Sequence, residues 1–266
     1  MRKKGWELFC VTTGLFLLFF LLPVEVEAQT TRVRLQTGLE AVESRDEMGS
    51  PFLYSGQGAP LSLGLSHQRR RIYLDLRAQF LRAPLQAERA TEDSHRADAI
   101  LVDLEIFLGR RLLSFGGHDL RIGPEIQTST FYRDYTYDSF QIGTVEIWDS
   151  PLTLNVRAEL LRRLGPLELG AAMSLPLFGW VMRPDYAIRG DERITMMERR
   201  YRVLEFGEFA TWPDLQALRA RLTGEFFFGR YWGAHLMVST SFFRFQRDLE
   251  TGALRRTVLL GLSLRI

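Results

Sequence analysis

The sequence predicts an all-β chain: a closed, antiparallel, up-and-down transmembrane barrel of about ten strands. Three observations predict it. Apolar and polar residues alternate with a period of two along most of the chain, connections alternate between short and long, and aromatic residues gather at strand ends. A period of two sends successive side chains to opposite faces of a strand, so each segment has one apolar and one polar face.

Residues 1–28 read as a cleaved signal peptide that precedes the barrel domain, residues 29–266. Arg2, Lys3 and Lys4 supply a basic start, Leu8 to Leu22 an apolar run of about fifteen residues, and Val26-Glu27-Ala28 a small-residue cleavage site. The run is shorter than the roughly 20 residues that span a bilayer as a helix, and Pro23, Glu25 and Glu27 end it. Cys10, the chain's one cysteine, lies inside this leader, so disulfides, thiol catalysis and thiolate metal sites are excluded from the mature chain.

The strands follow in order. The first, Arg32 to Val42, sets Val33, Leu35, Thr37, Leu39 and Ala41 against Arg34, Gln36, Gly38 and Glu40. The second runs from Pro60 to His67, the third from Arg71 to Leu81, and the fourth from Ala97 to Leu108, each with aliphatic residues at alternate positions. The fifth, His118 to Phe131, contains Pro124, which cannot donate to a ladder and implies a local break. The sixth is Pro151 to Leu161, the seventh Pro166 to Phe178, the eighth Leu215 to Phe228, and the ninth Gly233 to Phe245, where alternation is less clean. The tenth occupies "RTVLLGLSLRI", Arg256 to Ile266, and alternates to the last residue, Leu259 excepted. A terminal segment frays unless neighbours hold it, so a strand that ends with the chain implies a closed wall.

Short turns fall at His67 to Arg71, Gly109 to Gly117, Arg163 to Pro166 and Gly229 to Gly233, all on the side of the termini. Longer, more polar connections fall opposite, the largest being Gly179 to Asp214. This plan is that of a barrel with periplasmic turns and outer loops. The largest connection contains "ERRYRVLEFGEF", whose partial alternation predicts a hairpin above the membrane or an extra strand pair that raises the count to twelve. Aromatic residues form two belts: Tyr73, Phe107, Phe226, Phe228, Tyr231 and Trp232 near the periplasmic rim, and Phe80, Phe131, Tyr132, Trp148, Phe178, Trp180, Trp212, Phe242 and Phe245 near the outer one.

Charge narrows the function. Lys and Arg number 34 against 32 Asp and Glu, a formal charge of +2, and no basic cluster is interleaved with aromatics, which argues against nucleic acid as a partner. No lysine occurs beyond Lys4, so every base of the mature chain is arginine. Past the leader no apolar stretch approaches 20 residues, so a membrane is crossed by strands alone.

With its leader, ten alternating strands and a final "VLLGLSLRI", Val258-Ile266, the chain resembles the small bacterial outer-membrane β-barrel proteins. The last segment resembles the C-terminal signal read by the barrel assembly machinery, although Ile266 stands where that class most often has an aromatic residue. The resemblance implies residence in the outer membrane, contact with outer-membrane lipid and the assembly machinery as a partner.

The polar faces predict a charge network in the lumen. Arg34, Arg77, Arg121, Arg157, Arg219 and Arg221 share the inward phase with Glu40, Asp75, Asp103, Glu105, Glu125, Glu159, Glu168 and Glu225. Opposed charges in a narrow lumen satisfy one another, whereas single buried ions cost several kcal/mol each, so the lumen is expected to be plugged. A narrow solute path is the alternative.

The ten-strand count also resembles that of the omptin proteases, which carry acid pairs and a His-Asp couple at the outer mouth. The nearest material is "ATEDSHRAD", where His95 with Asp93 or Asp98 forms a weak candidate for activating water, and Ser94 for a nucleophile. No His-Ser pair on adjacent lipid-facing strands suggests a lipid-acting enzyme. His67, His118 and His235 fall at strand ends with no ligand spacing and read as interfacial polar anchors; no metal site or cofactor is implied. A structural or surface-interaction role through the outer loops is the leading expectation, the loop ligand being unspecified.

Overall fold

The computed structural model describes residues 29–47, 50–87, 95–137, 143–182, 188–189, 207–246 and 250–266. In chain order its strands are β1 (Gln29–Asp46), β2 (Ser50–Gly58), β3 (Leu61–Arg69), β4 (Ile72–Ala87), β5 (His95–Phe115), β6 (His118–Tyr137), β7 (Gly143–Leu164), β8 (Leu167–Met182), β9 (Ile188–Arg189), β10 (Gly207–Ala210), β11 (Leu215–Phe227), β12 (Trp232–Phe245) and β13 (Thr251–Arg265). All belong to one antiparallel sheet that closes on itself. β2 and β3 share one place in the wall, since both pair with β1 and with β4; the break between them falls at Pro60, which has no N–H to give. The ring runs β1, β2/β3, β4, β5, β6, β7, β8, β11, β12, β13 and back to β1, which makes ten places, as the alternation predicts.

The two short segments of the 179–214 connection add no place to the ring. β9 pairs with Val145 and Glu146 of β7, and β10 pairs with Gly179 to Met182 of β8, so both extend the wall at its rim. The count stays at ten and the twelve-strand alternative is set aside. Residues 183–187 and 190–206 lie outside the described residues.

Closure explains the alternation carried to the end of the chain. β13 is held on one edge by β1, from Arg32↔Arg265 to Asp46↔Thr251, and on the other by β12. Ile266 exchanges backbone hydrogen bonds with Thr31 at 2.9 and 3.2 Å. Glycine is required in this seam, because a Cβ on Gly38 would lie 2.0 Å from the Val258 carbonyl oxygen and one on Gly261 would lie 2.1 Å from that of Leu35.

The outward face carries an uninterrupted apolar band. Leu35, Leu39, Leu63, Leu104, Ile106, Leu160, Met173, Leu222, Leu236 and Leu260 are all exposed on it. From Leu218 to Phe228 the band climbs about 33 Å along the strand at ~3.3 Å per residue, and a strand tilt of roughly 40° turns this into about 25 Å of height, the apolar thickness of an outer-membrane barrel. Towards the loop end the phase inverts. In β4 the outward residues are apolar as far as Phe80; beyond it Leu81, Ala83 and Leu85 turn inward and are buried, while Arg82, Pro84 and Gln86 face out. In β5, Ala97, Ala99 and Leu101 are inward and Val102, Leu104 and Ile106 outward. Below the inversion the wall's outside is suited to lipid, and above it to water, with a small apolar core inside that also includes Val42, Tyr54, Phe131, Tyr135 and Ile147.

Strands therefore occupy much of what the sequence assigns to loops: β2, the upper ends of β4 and β6 and the starts of β5 and β7 all rise above the band. The backbone ladder works equally well in water, and an inward apolar face supplies burial of its own there. Four of the aromatic residues assigned to belts also change place. Tyr73, Phe107, Phe131 and Phe245 lie on the inward phase and are buried, whereas Phe80, Trp212, Phe226, Phe228, Tyr231, Trp232 and Phe242 remain on the outer surface.

Candidate functional site: the charged lumen

The inward side chains meet in layers along the barrel. At the terminal end Arg32 donates to Glu168 at 2.6 Å and to Glu225 at 2.7 Å. Arg34 lies 3.5 Å from Glu225 and 3.7 Å from Asp75. In the next layer Arg157 joins three carboxylates, Asp75 at 3.4 Å, Glu125 at 3.3 Å and Glu159 at 3.2 Å, and stacks on the ring of Phe107. Arg121 lies 3.5 Å from Glu159, donates to Gln68 at 2.9 Å, and sits 4.0 Å above the ring of Tyr73. The two inward aromatics thus serve as platforms for guanidinium planes.

Mid-barrel, Glu105 receives both Arg219 and Arg221, the latter at 2.5 Å. Arg255 grips Asp103 with two N–H groups, at 2.6 and 2.9 Å, and donates its Nε to Glu40 at 2.5 Å. Arg77 is bound by neutral groups, the hydroxyl of Ser62 at 3.1 Å, Gln79 at 2.9 Å and the sulfur of Met237 at 2.7 Å. Above the phase inversion Arg133 is fully buried between Asp46, at 2.8 Å, and Asp149, with the Ser44 hydroxyl at 2.9 Å. Burial holds the nearby Tyr135 hydroxyl above its usual tyrosine range.

Several of these bonds join strands that are not neighbours in the ring. Arg255 of β13 reaches Asp103 of β5, Arg221 of β11 reaches Glu105 of β5, Arg157 of β7 reaches Asp75 of β4, and Arg133 of β6 reaches Asp46 of β1. Each therefore crosses the interior. Two cavities of about 60 and 50 Å³ lie among these layers, and a third of about 420 Å³ opens at the terminal end.

Sequence reasoning missed Arg133, Asp46 and Asp149, which fall in segments it assigns to connections, and Arg255, which lies one residue before the tenth strand as it bounds it. The available signal was phase: Arg255 is two residues from Thr257, and Arg133 two from Phe131, along strands that continue. Of the outer-mouth candidates the structure describes the backbone of His95 and the whole of Asp98. Asp93 and Ser94 lie outside the described residues, and His95 opens β5 with its backbone paired to Tyr137. Asp98 is exposed on the outer wall, 3.3 Å from Arg82.

The histidines have separate surroundings. His67 hydrogen-bonds Thr31 at 2.9 Å, and His118 stacks on Phe115. His235 departs from the interfacial reading: it is buried in the lumen against Gln36 at 2.6 Å, because it shares the inward phase of β12 with Gly233 and Met237.

No protein-family model matches the chain, and no curated protein sequence matches it. Among solved structures, the outer membrane protease OmpT from Escherichia coli superposes with a TM-score of 0.57 at 9% sequence identity, covering 92% of this chain and 99% of that one. The translocator domain of the autotransporter NalP from Neisseria meningitidis gives a TM-score of 0.46 at 11% identity, covering 99% and 95% of the two chains. At such identity the first likeness speaks to fold, and it joins the closed ten-place ring and the outward apolar band in one conclusion. The chain has the fold of the bacterial outer-membrane β-barrels.

Proposed function

We propose that the protein is an integral barrel of the bacterial outer membrane, exported by a cleaved leader of residues 1–28, with a lumen closed by its own side chains and a structural or surface-interaction role carried at the loop end. The terminal end is the periplasmic one, as the short turns there suggest. The observation that carries the closed lumen is the set of ion pairs between non-neighbouring strands, above all Arg255 with Asp103 and Arg221 with Glu105. Charges that cross the interior of a ten-stranded ring and satisfy one another leave little space for a solute, and separating them costs several kcal/mol per ion. OmpT's proteolytic activity does not transfer on fold alone, since Asp98 sits on the outer wall.

Two measurements test the reading. The full chain from the membrane fraction, loaded in detergent with and without boiling, is expected to run at two mobilities; one mobility and a soluble location would overturn the barrel. Purified protein in a planar bilayer is expected to show no discrete conductance steps. Steps would favour a narrow solute channel, the reading that the wide vestibule and the two smaller cavities beyond it support.

A further inference from the structure

The terminal-end turns share a composition that the barrel fold does not require. Arg69, Arg70 and Arg71 occupy the first, Arg110 and Arg111 flank the second, Arg162 and Arg163 precede the third, and Arg230 lies in the fourth. Adjacent residues near a strand end point to opposite sides of the wall, so each run supplies one guanidinium to the interior and one to the rim. The interior members Arg70, Arg111 and Arg163 line the 420 Å³ vestibule together with Arg32 and Arg265, and the one carboxylate among its lining residues is Glu168.

That carboxylate is already engaged, by Arg32 at 2.6 and 3.0 Å and by Arg163 at 3.3 Å. Arg265 makes no ion pair among the described residues; its guanidinium rests 3.6 Å from the ring centroid of Phe227, and its Nε is buried without a hydrogen-bond partner. Arg70 holds φ at 60°, in the left-handed region where turn chemistry alone would select glycine or asparagine. An arginine is strained there, and its presence brings the cations at the vestibule to five. Beside the vestibule an apolar lip protrudes from the β5–β6 hairpin, where Leu112, Leu113 and Phe115 are 52, 57 and 60% exposed.

We propose that this vestibule binds a phosphate group, either the headgroup phosphate of an anionic phospholipid whose acyl chains lie on the lip or a free phosphate ester. Several arginine forks converging on one cavity from different strands suit a tetrahedral anion, whose oxygens point in several directions, better than a carboxylate, whose two oxygens share one plane. The membrane source rests on the outer-membrane reading above, while the charge of the cavity stands apart from it.

The test is native mass spectrometry of the full chain released from nonionic micelles doped in turn with phosphatidylglycerol, glycerol 3-phosphate and oleate. A 1:1 phosphatidylglycerol adduct is expected, weakened at least tenfold in R111Q/R265Q and in R265Q alone, and unchanged in R256Q, which alters an exposed arginine paired to Glu43 far from the vestibule. Binding of glycerol 3-phosphate as well assigns the site to phosphate esters in general; binding of the lipid alone assigns it to the headgroup. Equal retention by the R265Q variants, or oleate held as firmly as phosphatidylglycerol, overturns the proposal. The heat-dependent gel shift, recorded on every sample, separates failure of this site from failure of the barrel.

Discussion

Replacing Arg255 and Asp103, singly and together, probes whether the lumen is held by specific charge pairs. Arg255→Leu removes two hydrogen bonds to Asp103 and one to Glu40, leaving two buried carboxylates without their ion-pair partner and with hydrogen bonds from Ser129 and Gln79. That loss belongs at the upper end of the range for breaking a buried pair, about 5 kcal/mol. Asp103→Leu leaves Arg255 its bond to Glu40, so about 3 kcal/mol is expected. In the double variant Glu40 alone lacks its ion-pair partner, and the total should stay at ~4 kcal/mol, ~4 kcal/mol below the sum of the singles.

The assay is urea unfolding of protein refolded into lipid vesicles, followed by tryptophan fluorescence and by gel mobility. The reasoning is refuted if both single variants unfold within about 0.5 kcal/mol of the parent, or if the two costs add to within about 0.5 kcal/mol. The double variant also opens the mid-barrel layer, so discrete conductance steps should emerge in a planar bilayer where the parent is expected to show none.

Other expected outcomes follow from the wall. Leu222 is 61% exposed at mid-band, so Leu222→Arg should lower stability in vesicles by ~2–4 kcal/mol; an unchanged urea midpoint would mean that this face does not meet lipid. Arg133→Leu removes the buried cation that Asp46 and Asp149 share above the band, at a cost of about 3–5 kcal/mol, which should admit trypsin at Arg82 or Arg96 while the boiled and unboiled bands still differ. Unaltered resistance to trypsin would show that the trio does not hold the upper wall. Gly261→Val puts side-chain carbons where the Leu35 carbonyl oxygen already stands and should abolish the compact unboiled band; a normal band would refute the close approach of β1 and β13.

How legible this barrel was depends on what each region must satisfy. Lipid imposes one rule on every outward residue, so the band could be counted strand by strand from Leu35, Leu63 or Leu222 without knowing which strands are neighbours. The phase inversion was present too, as pairs of consecutive apolar residues: Ala41-Val42, Phe80-Leu81, Leu101-Val102 and Phe131-Tyr132. Each marks the level at which the apolar face changes sides, but a reading that expects loops beyond the membrane ends its strand at Val42, Leu81 and Phe131 and runs through Leu101-Val102 without a break. Inward Tyr73 and Phe107 read as belt residues in the sequence because an aromatic ring near a strand end fits either face until its phase is followed.

Pairing across the lumen obeys a different logic. The inward residues announce that charges face the interior, yet whether Asp103 meets Arg255 or Arg221 depends on the tilt and stagger of the whole ring, which no single strand encodes. This also limits what the interior can say about function. A membrane wall requires an apolar exterior, and a narrow lumen requires its charges to cancel, so those two features would be found whatever the protein did. The vestibule is different: nothing in closing a barrel calls for an arginine at a left-handed turn position, or for Arg265 to lie on a ring with no ion pair among the described residues. Features that the fold does not need are where a ligand's requirements can be read, and for this chain they lie at the terminal end.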